Sequence, residues 1–264
     1  MMYKIIFYIL GLFSLNFHLV ENKFIELNET NHIAIKGKID ETLITQNLLD
    51  LNNLKGDTWY IYIQSGGGSV IDGLGLIEQI KFYQENNKKI VCVVEYAFSM
   101  AFVILQYCDT RYGLSSAITM QHQMSLGLKG PILNLNNKLK YVQKMSEHLD
   151  EHQAKRLGIS IKSFNDKVAN DWWIYGKDNI EYNIIDEIVQ VGCNKKLLNT
   201  TYNVTEYTFF GTIEFTYSRC PMIKNFIHRS FKKYDETEEK IFFNTKETQI
   251  KFDDYGNKFP NVNF

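Results

Sequence analysis

The chain has 264 residues, of which 45% are hydrophobic and 22% charged, with a formal net charge of −1. This is ordinary globular usage, enough for one large domain or a domain with an appendage, and the balanced charge gives no global field favouring nucleic acid. The four cysteines form no C-x-x-C pair, which argues against a zinc site.

Met1–Lys4 is short and basic, and Ile5–Leu15 is apolar apart from Gly11 and Ser14. Residues 1–20 therefore read as a signal peptide or membrane anchor, the alternative being a buried first element of the domain. That reading places the protein in the secretory pathway or at a membrane, with cytoplasmic as the alternative. Cys193 and Cys220 could pair in an oxidising compartment, whereas Cys92 and Cys108 sit in apolar patterns and read as core residues.

A short strand is expected over His32–Lys36, then a helix over Asp40–Leu49 with Asp40 as N-cap. Trp59–Ile63 reads as a strand and Val70–Asn86 as a helix, joined by the glycine turn Gly66-Gly67-Gly68. Lys89–Glu95 is a near-continuous apolar run, which suits a strand covered on both faces. A turn at Tyr96–Ser99 leads into an apolar helix. Arg111–Leu114 and Ala117–Gln121 are two further strand candidates. This alternation predicts an α/β layer fold. Leu133–Leu157 is a long polar helix with a thin apolar stripe, the pattern of a helix that projects from the core or packs against a partner. Short helices over Ser163–Ala169 and Lys177–Tyr182 and a strand over Ile184–Val191 close the domain. Beyond Gly192 the residues alternate aromatic and polar over Thr201–Thr216, and Lys240–Phe243 and Thr248–Phe252 read as strands. Residues 192–264 are expected to form a small β-rich or irregular extension without chemistry of its own.

Three residues carry candidate chemistry. Ser99 lies between a buried strand and an apolar helix, where it could be a nucleophile or simply an N-cap. His122 leaves the end of a strand, and Asp171 precedes Trp172-Trp173; alone, each could be an ordinary surface residue. Together they supply a hydroxyl, a base to take its proton and a carboxylate to orient the base. Two donors for a developing oxyanion are available in the N–H groups of Gly68 and Met100. A side chain at Gly68 is expected to block the approach of a substrate carbonyl.

The motifs resemble a known family. Ser65-Gly66-Gly67-Gly68-Ser69-Val70 resembles an S-P-G-G-S-V turn, Ala97-Phe98-Ser99-Met100-Ala101 an A-A-S-M-G nucleophile motif and Met120-Gln121-His122-Gln123 an M-I-H-Q motif. Asn170-Asp171-Trp172-Trp173 falls at R-D-x-F, and Glu181-Tyr182-Asn183-Ile184-Ile185-Asp186 at E-Y-G-L-[IV]-D. These are the motifs of the proteolytic subunit of the Clp protease, ClpP, and the resemblance spans residues 32–191. It implies a ClpP/crotonase-like α/β fold of repeated β-β-α layers with Leu133–Leu157 as a projecting handle helix. It further implies stacked homo-oligomeric rings and hydrolysis of peptides or unfolded proteins. Ser99 would be the nucleophile, His122 the base and Asp171 the orienting carboxylate, with Gly68 and Met100 as oxyanion donors. Gly67, Gln123, Met124 and Ser125 would lie along an extended substrate.

The pattern departs from the family at several points. Gly66 and Met124 replace prolines, Phe98 an alanine, Glu95 and Ala101 glycines, and Asn170 an arginine that in the family pairs across the ring contact. Only Glu21–Asn31 separate the apolar N-terminus from the first expected strand, little chain for the axial elements used to dock an ATP-driven unfoldase. No cofactor or metal is implied, and the absence of a G-x-x-x-x-G-K-[ST] loop excludes a P-loop ATPase. Two other readings compete: a non-catalytic ring or scaffold subunit, and a crotonase-like acyl-CoA enzyme, which has no need of a Ser-His-Asp set.

Overall fold

The computed structural model describes residues 23–234. The apolar N-terminus and the two expected strands after Lys240 lie outside the described residues. A short strand, β1 (Phe24–Leu27), precedes β2 (His32–Lys36). Then α1 (Glu41–Leu51), β3 (Thr58–Ser65), α2 (Val70–Glu85), β4 (Lys89–Phe98), α3 (Met100–Leu105) and β5 (Thr110–Gln121) alternate along the chain. The long helix α4 (Ile132–Leu157) and α5 (Ile161–Val168) follow, then β6 (Trp172–Tyr175), α6 (Asp178–Glu181), β7 (Glu187–Ile188) and β8 (Gln190–Cys193). The extension holds α7 (Lys195–Asn199), β9 (Thr201–Thr208), β10 (Gly211–Ser218) and β11 (His228–Lys233).

The main sheet runs β2-β3-β4-β5-β6; the first four strands pair in parallel, β6 pairs antiparallel with β5, and β7 adds to β5. Side chains on a strand alternate between faces, and here both faces are buried. Ile61, Ile63, Ile90, Cys92 and Val94 join one core with the helices. Tyr62, Val91, Val93 and Tyr112 join a second with Ile25, Leu27, Val189, Leu197 and Cys220. The helix expected from Asp40 starts as predicted, its carboxylate accepting the Leu43 N–H at 2.9 Å.

Three differences from the sequence reading have physical causes. Strand β4 continues through Phe98, because a register shift around Glu95 lets Tyr96, Ala97 and Phe98 go on pairing with both neighbours. The two strands expected between Arg111 and Gln121 are one, since the same shift on β5 absorbs the polar residues between them. The segment Ile184–Val191 splits into β7, which adds to the main sheet, and β8, which pairs in parallel with β1.

Arg111 is buried at 2% exposure and ties β5 to the chain after α6. Its guanidinium donates to Asp186 Oδ1 at 2.5 Å, to Gln106 Oε1 at 2.7 Å and to the Asn183 carbonyl at 2.8 Å. Burial raises the Asp186 carboxyl and the Arg111 bonds and charge lower it; the net position is below the usual carboxylate value.

The extension is anchored to the domain. Cys193 and Cys220 are joined by a disulfide, S–S 2.05 Å. Cys220, Met222 and Ile223 pack on the second core, and Lys36 donates to the Ile223 carbonyl at 2.7 Å. Glu95, at the register shift, pairs with Lys224 and accepts from Tyr62 at 2.8 Å and Gln64 at 3.0 Å. A carboxylate at that position, where the resembling family has glycine, thus holds the extension in place. Cys92 and Cys108, read as separate core residues, are buried and also joined, with Cα atoms 5.8 Å apart. The expected aromatic-polar alternation is the three-stranded antiparallel sheet β9-β10-β11.

Candidate active site

Strand register alone brings two of the predicted residues together. Phe98 pairs with Met120, and the Ser99 N–H donates to the Met120 carbonyl at 2.9 Å. The chain after each strand end is therefore adjacent, and His122 Nε2 lies 3.0 Å from Ser99 Oγ. Ser99 is 2% exposed, has φ 57° and ψ −122°, and its side chain makes no capping hydrogen bond. The capping alternative is thereby removed: the hydroxyl is turned away from α3 and toward the imidazole. A positive φ at a non-glycine residue costs of order 1–3 kcal/mol and persists only where neighbours impose it. Such strain is how a sharp strand-to-helix turn exposes a nucleophile.

His122 is itself positioned. Its backbone N–H donates to Gln121 Oε1 at 3.1 Å, and the Gln121 side-chain amide donates to Gln153 Oε1 of α4, both glutamines being buried. Sequence reasoning missed this Gln121–Gln153 link, because a buried amide pair leaves no mark on hydrophobic periodicity.

Asp171 stands one position before β6. The register Gln121 to Trp172, continued by one residue, sets it opposite His122. It is exposed, at the start of β6 beside the end of β5. The strand that places Asp171 there was itself unexpected, since Trp172–Tyr175 is too short to show alternation.

The glycine turn packs directly against the nucleophile. A Cβ on Gly67, with φ +88°, would lie 2.6 Å from the Phe98 carbonyl oxygen, 2.7 Å from Ser99 Cβ and 3.0 Å from the Met100 nitrogen. Only glycine lets the two turns come this close. Ser65 Oγ braces the turn, donating to the Gly37 carbonyl at 2.6 Å and accepting the Gly67 N–H at 3.1 Å. Ile39 N–H donates to Gly67 O, and Ser69 N–H to Ile39 O, each at 2.9 Å. This bridge leaves the Gly68 N–H on the other side of the chain, without a backbone acceptor among the described residues. The Met100 N–H opens α3 and has no carbonyl one turn back within the helix. The expectation that a side chain at Gly68 would obstruct substrate is corrected: a Cβ there would meet the Ile39 carbonyl oxygen at 2.2 Å, so the constraint comes from the fold. Gly73 on α2 has a similar role that no motif marks: its Cβ position is filled by the Met100 side chain, 2.4 Å from Met100 Cε.

Gln123, Met124 and Ser125 follow His122 in an irregular segment whose exposure alternates, Met124 facing inward, as in extended chain. Phe98 stacks edge-on against Trp173, ring centroids 5.0 Å apart, and does not line the cleft beside His122. No cluster of metal-ligating side chains occurs among the described residues.

The Clp protease family model matches residues 19–192. The chain is 23% identical to ATP-dependent Clp protease proteolytic subunit 2 of Pseudomonas aeruginosa, over 60% of this chain and 80% of that protein. It is 24% identical to the subunit of the same name from Treponema denticola, over 61% of this chain and 82% of that one, and 23% identical to that of Treponema pallidum, over 61% and 83%. The matched span covers the main sheet, the glycine turn and the Ser99–His122 pair and ends as the extension begins, and on it the chain belongs to the Clp protease family.

Proposed function

We propose that the protein is a serine endopeptidase that hydrolyses peptides or unfolded chains through an acyl-enzyme. The observation that carries this reading is the strained, buried Ser99 with His122 Nε2 at 3.0 Å from its hydroxyl. In the first half-reaction Ser99 Oγ adds to the peptide carbonyl while His122 Nε2 takes the hydroxyl proton. The carbonyl oxygen becomes an oxyanion, which accepts hydrogen bonds from the Gly68 and Met100 N–H groups. The C–N bond then breaks and the proton passes from His122 to the departing amine. Water then adds to the acyl carbon as His122 takes its proton, the bond from that carbon to Ser99 Oγ breaks, and His122 returns the proton to Ser99 Oγ as the carboxylic acid product leaves. Asp171 would orient the imidazole. The extended segment Gln123–Ser125 and Gly67 would pair with the substrate backbone, which makes cleavage tolerant of most side chains.

A homo-oligomeric ring fits this reading. The first half of α4 carries Ile132, Leu133, Leu139 and Tyr141 on exposed positions, an apolar surface suited to burial against further copies. An ATP-driven unfoldase remains a proposed partner only by analogy with the relatives' names. A secretory or membrane location and a signal or anchor in residues 1–20 stand as proposals from the sequence pattern.

The test is turnover of a fluorogenic peptide panel by the wild type and by Ser99→Ala. Turnover abolished by the substitution in a protein of unchanged circular dichroism is expected. Equal rates in the two proteins would reject the mechanism, and no turnover in either would favour a scaffold subunit.

A further inference from the structure

A second group stands close to the candidate catalytic pair and is not used by the mechanism. A small cleft beside His122 is lined by the apolar Val103, Met124 and Leu149 and, from α4, by the polar Ser146, Asp150 and Gln153. Asp150 accepts from Ser146 Oγ at 3.2 Å and is within 3.5 Å of Gln153 Nε2. Among the described residues it takes part in no ion pair, and His122 is the other titratable group lining the cleft. Burial pushes its carboxyl up to about 6, against the partial relief of the Ser146 bond. An anion held in a half-buried cleft without a counter-charge is destabilising, and a carboxyl perturbed in this way beside a catalytic pair is a candidate for a role in function.

We propose that this cleft takes the side chain of the residue whose carbonyl is attacked, and that Asp150 selects a basic residue, Lys or Arg, at that position. The proposal rests on Ser99 and His122 being the catalytic pair. The P1 side chain leaves the substrate one bond from the carbonyl that Ser99 attacks, so a cleft bordered by His122 is within its reach. An aliphatic stem would lie along Val103, Met124 and Leu149, and its cationic end would meet the Asp150 carboxylate, the division of labour that long basic side chains favour. As it stands the cleft has about 10 Å³, room for about one water. Met124 is the wall that yields: it sits on the irregular segment between β5 and α4, and a thioether chain adapts readily to a new neighbour.

The experiment compares fluorogenic peptides that differ only at P1, Lys, Arg or Leu, on the wild type and on Asp150→Asn. The same peptides are also titrated by fluorescence anisotropy against Ser99→Ala and the Ser99→Ala/Asp150→Asn double variant. The expected kcat/KM is at least about tenfold higher for Lys and Arg than for Leu in the wild type, and the ratio collapses toward one in Asp150→Asn. The anisotropy series should show the same loss of preference. A wild type that prefers Leu, or a ratio that Asp150→Asn leaves unchanged, overturns the proposal. If no peptide is turned over, the catalytic reading fails, and anisotropy alone decides the pocket: tighter binding of Lys and Arg peptides that disappears with Asp150 sustains it, and equal binding overturns it.

Discussion

His122 Nε2 and Ser99 Oγ lie 3.0 Å apart although 23 positions separate the two residues in the chain. Parallel pairing of β4 with β5 brings them together, because both strands end at the same edge of the sheet and the Ser99 N–H is bonded to the Met120 carbonyl. In open α/β sheets the carboxyl ends of parallel strands are where functional groups gather.

The backbone at Ser99 gives a first prediction. Its φ of 57° and ψ of −122° suit glycine better than any residue with a side chain. Ser99→Gly should therefore raise stability by about 1 kcal/mol while abolishing peptidase activity. Thermal denaturation of the two proteins at one pH checks it. A less stable glycine variant would mean that the hydroxyl contributes more to folding than the turn costs.

Gly67 should behave in the opposite way. A methyl group there, at φ +88°, would press on the Phe98 carbonyl, Ser99 Cβ and Met100 nitrogen together. Gly67→Ala is expected to cost about 2 kcal/mol of stability and to lower acylation by about a hundredfold, by moving the nucleophile and one oxyanion donor. Rates of covalent labelling by a fluorophosphonate probe, measured on the folded fraction, separate the two effects. A variant labelled at the wild-type rate would show that the contact does not position Ser99.

Much of this site was legible in the sequence. The glycine turn and the α/β alternation leave local signals in turn residues and apolar runs, whereas Ser99 and His122, each ordinary when taken alone, stand out through their conjunction and the motifs around them. The location of Asp171 was less so, since it depends on β6, a strand of four residues that pairs only at long range. The anchoring of the extension by Glu95, Lys36 and the second core was not readable either. Those contacts join positions that lie far apart in the chain, and nothing in the local pattern of either partner announces the other.

Asp150 should limit stability at neutral pH. Its folded-state value of about 6 lies above the ordinary 3.8, so between these values the folded protein binds more protons than the unfolded one. Stability contributed by this group therefore falls as pH rises from 4 to 6. Asp150→Asn should be more stable than the wild type at pH 7.5, by on the order of 1–2 kcal/mol, and should flatten that stretch of the curve. Urea denaturation between pH 4 and 7.5 tests this, and parallel curves for the two proteins would contradict it.

The Arg111–Asp186 pair has the reverse dependence. Asp186 sits below the usual carboxylate value, so its contribution is complete at neutral pH and is lost as pH falls through the folded value, below 3.8. Asp186→Ala should destabilise by roughly 2–3 kcal/mol, because it strands a guanidinium that is almost wholly buried. Denaturation midpoints of the variant and the wild type at pH 7 decide it, and a change within error would mean that Gln106 and Asn183 suffice to hold Arg111.

The most direct test of the catalytic reading is covalent. The full chain is treated with a fluorophosphonate probe, the assembled fraction is isolated by size exclusion, and the modified peptide is mapped by mass spectrometry. Stoichiometric label on Ser99, lost in His122→Ala under the same conditions, is the predicted result. Absence of label on Ser99, or label that persists undiminished without His122, would contradict it.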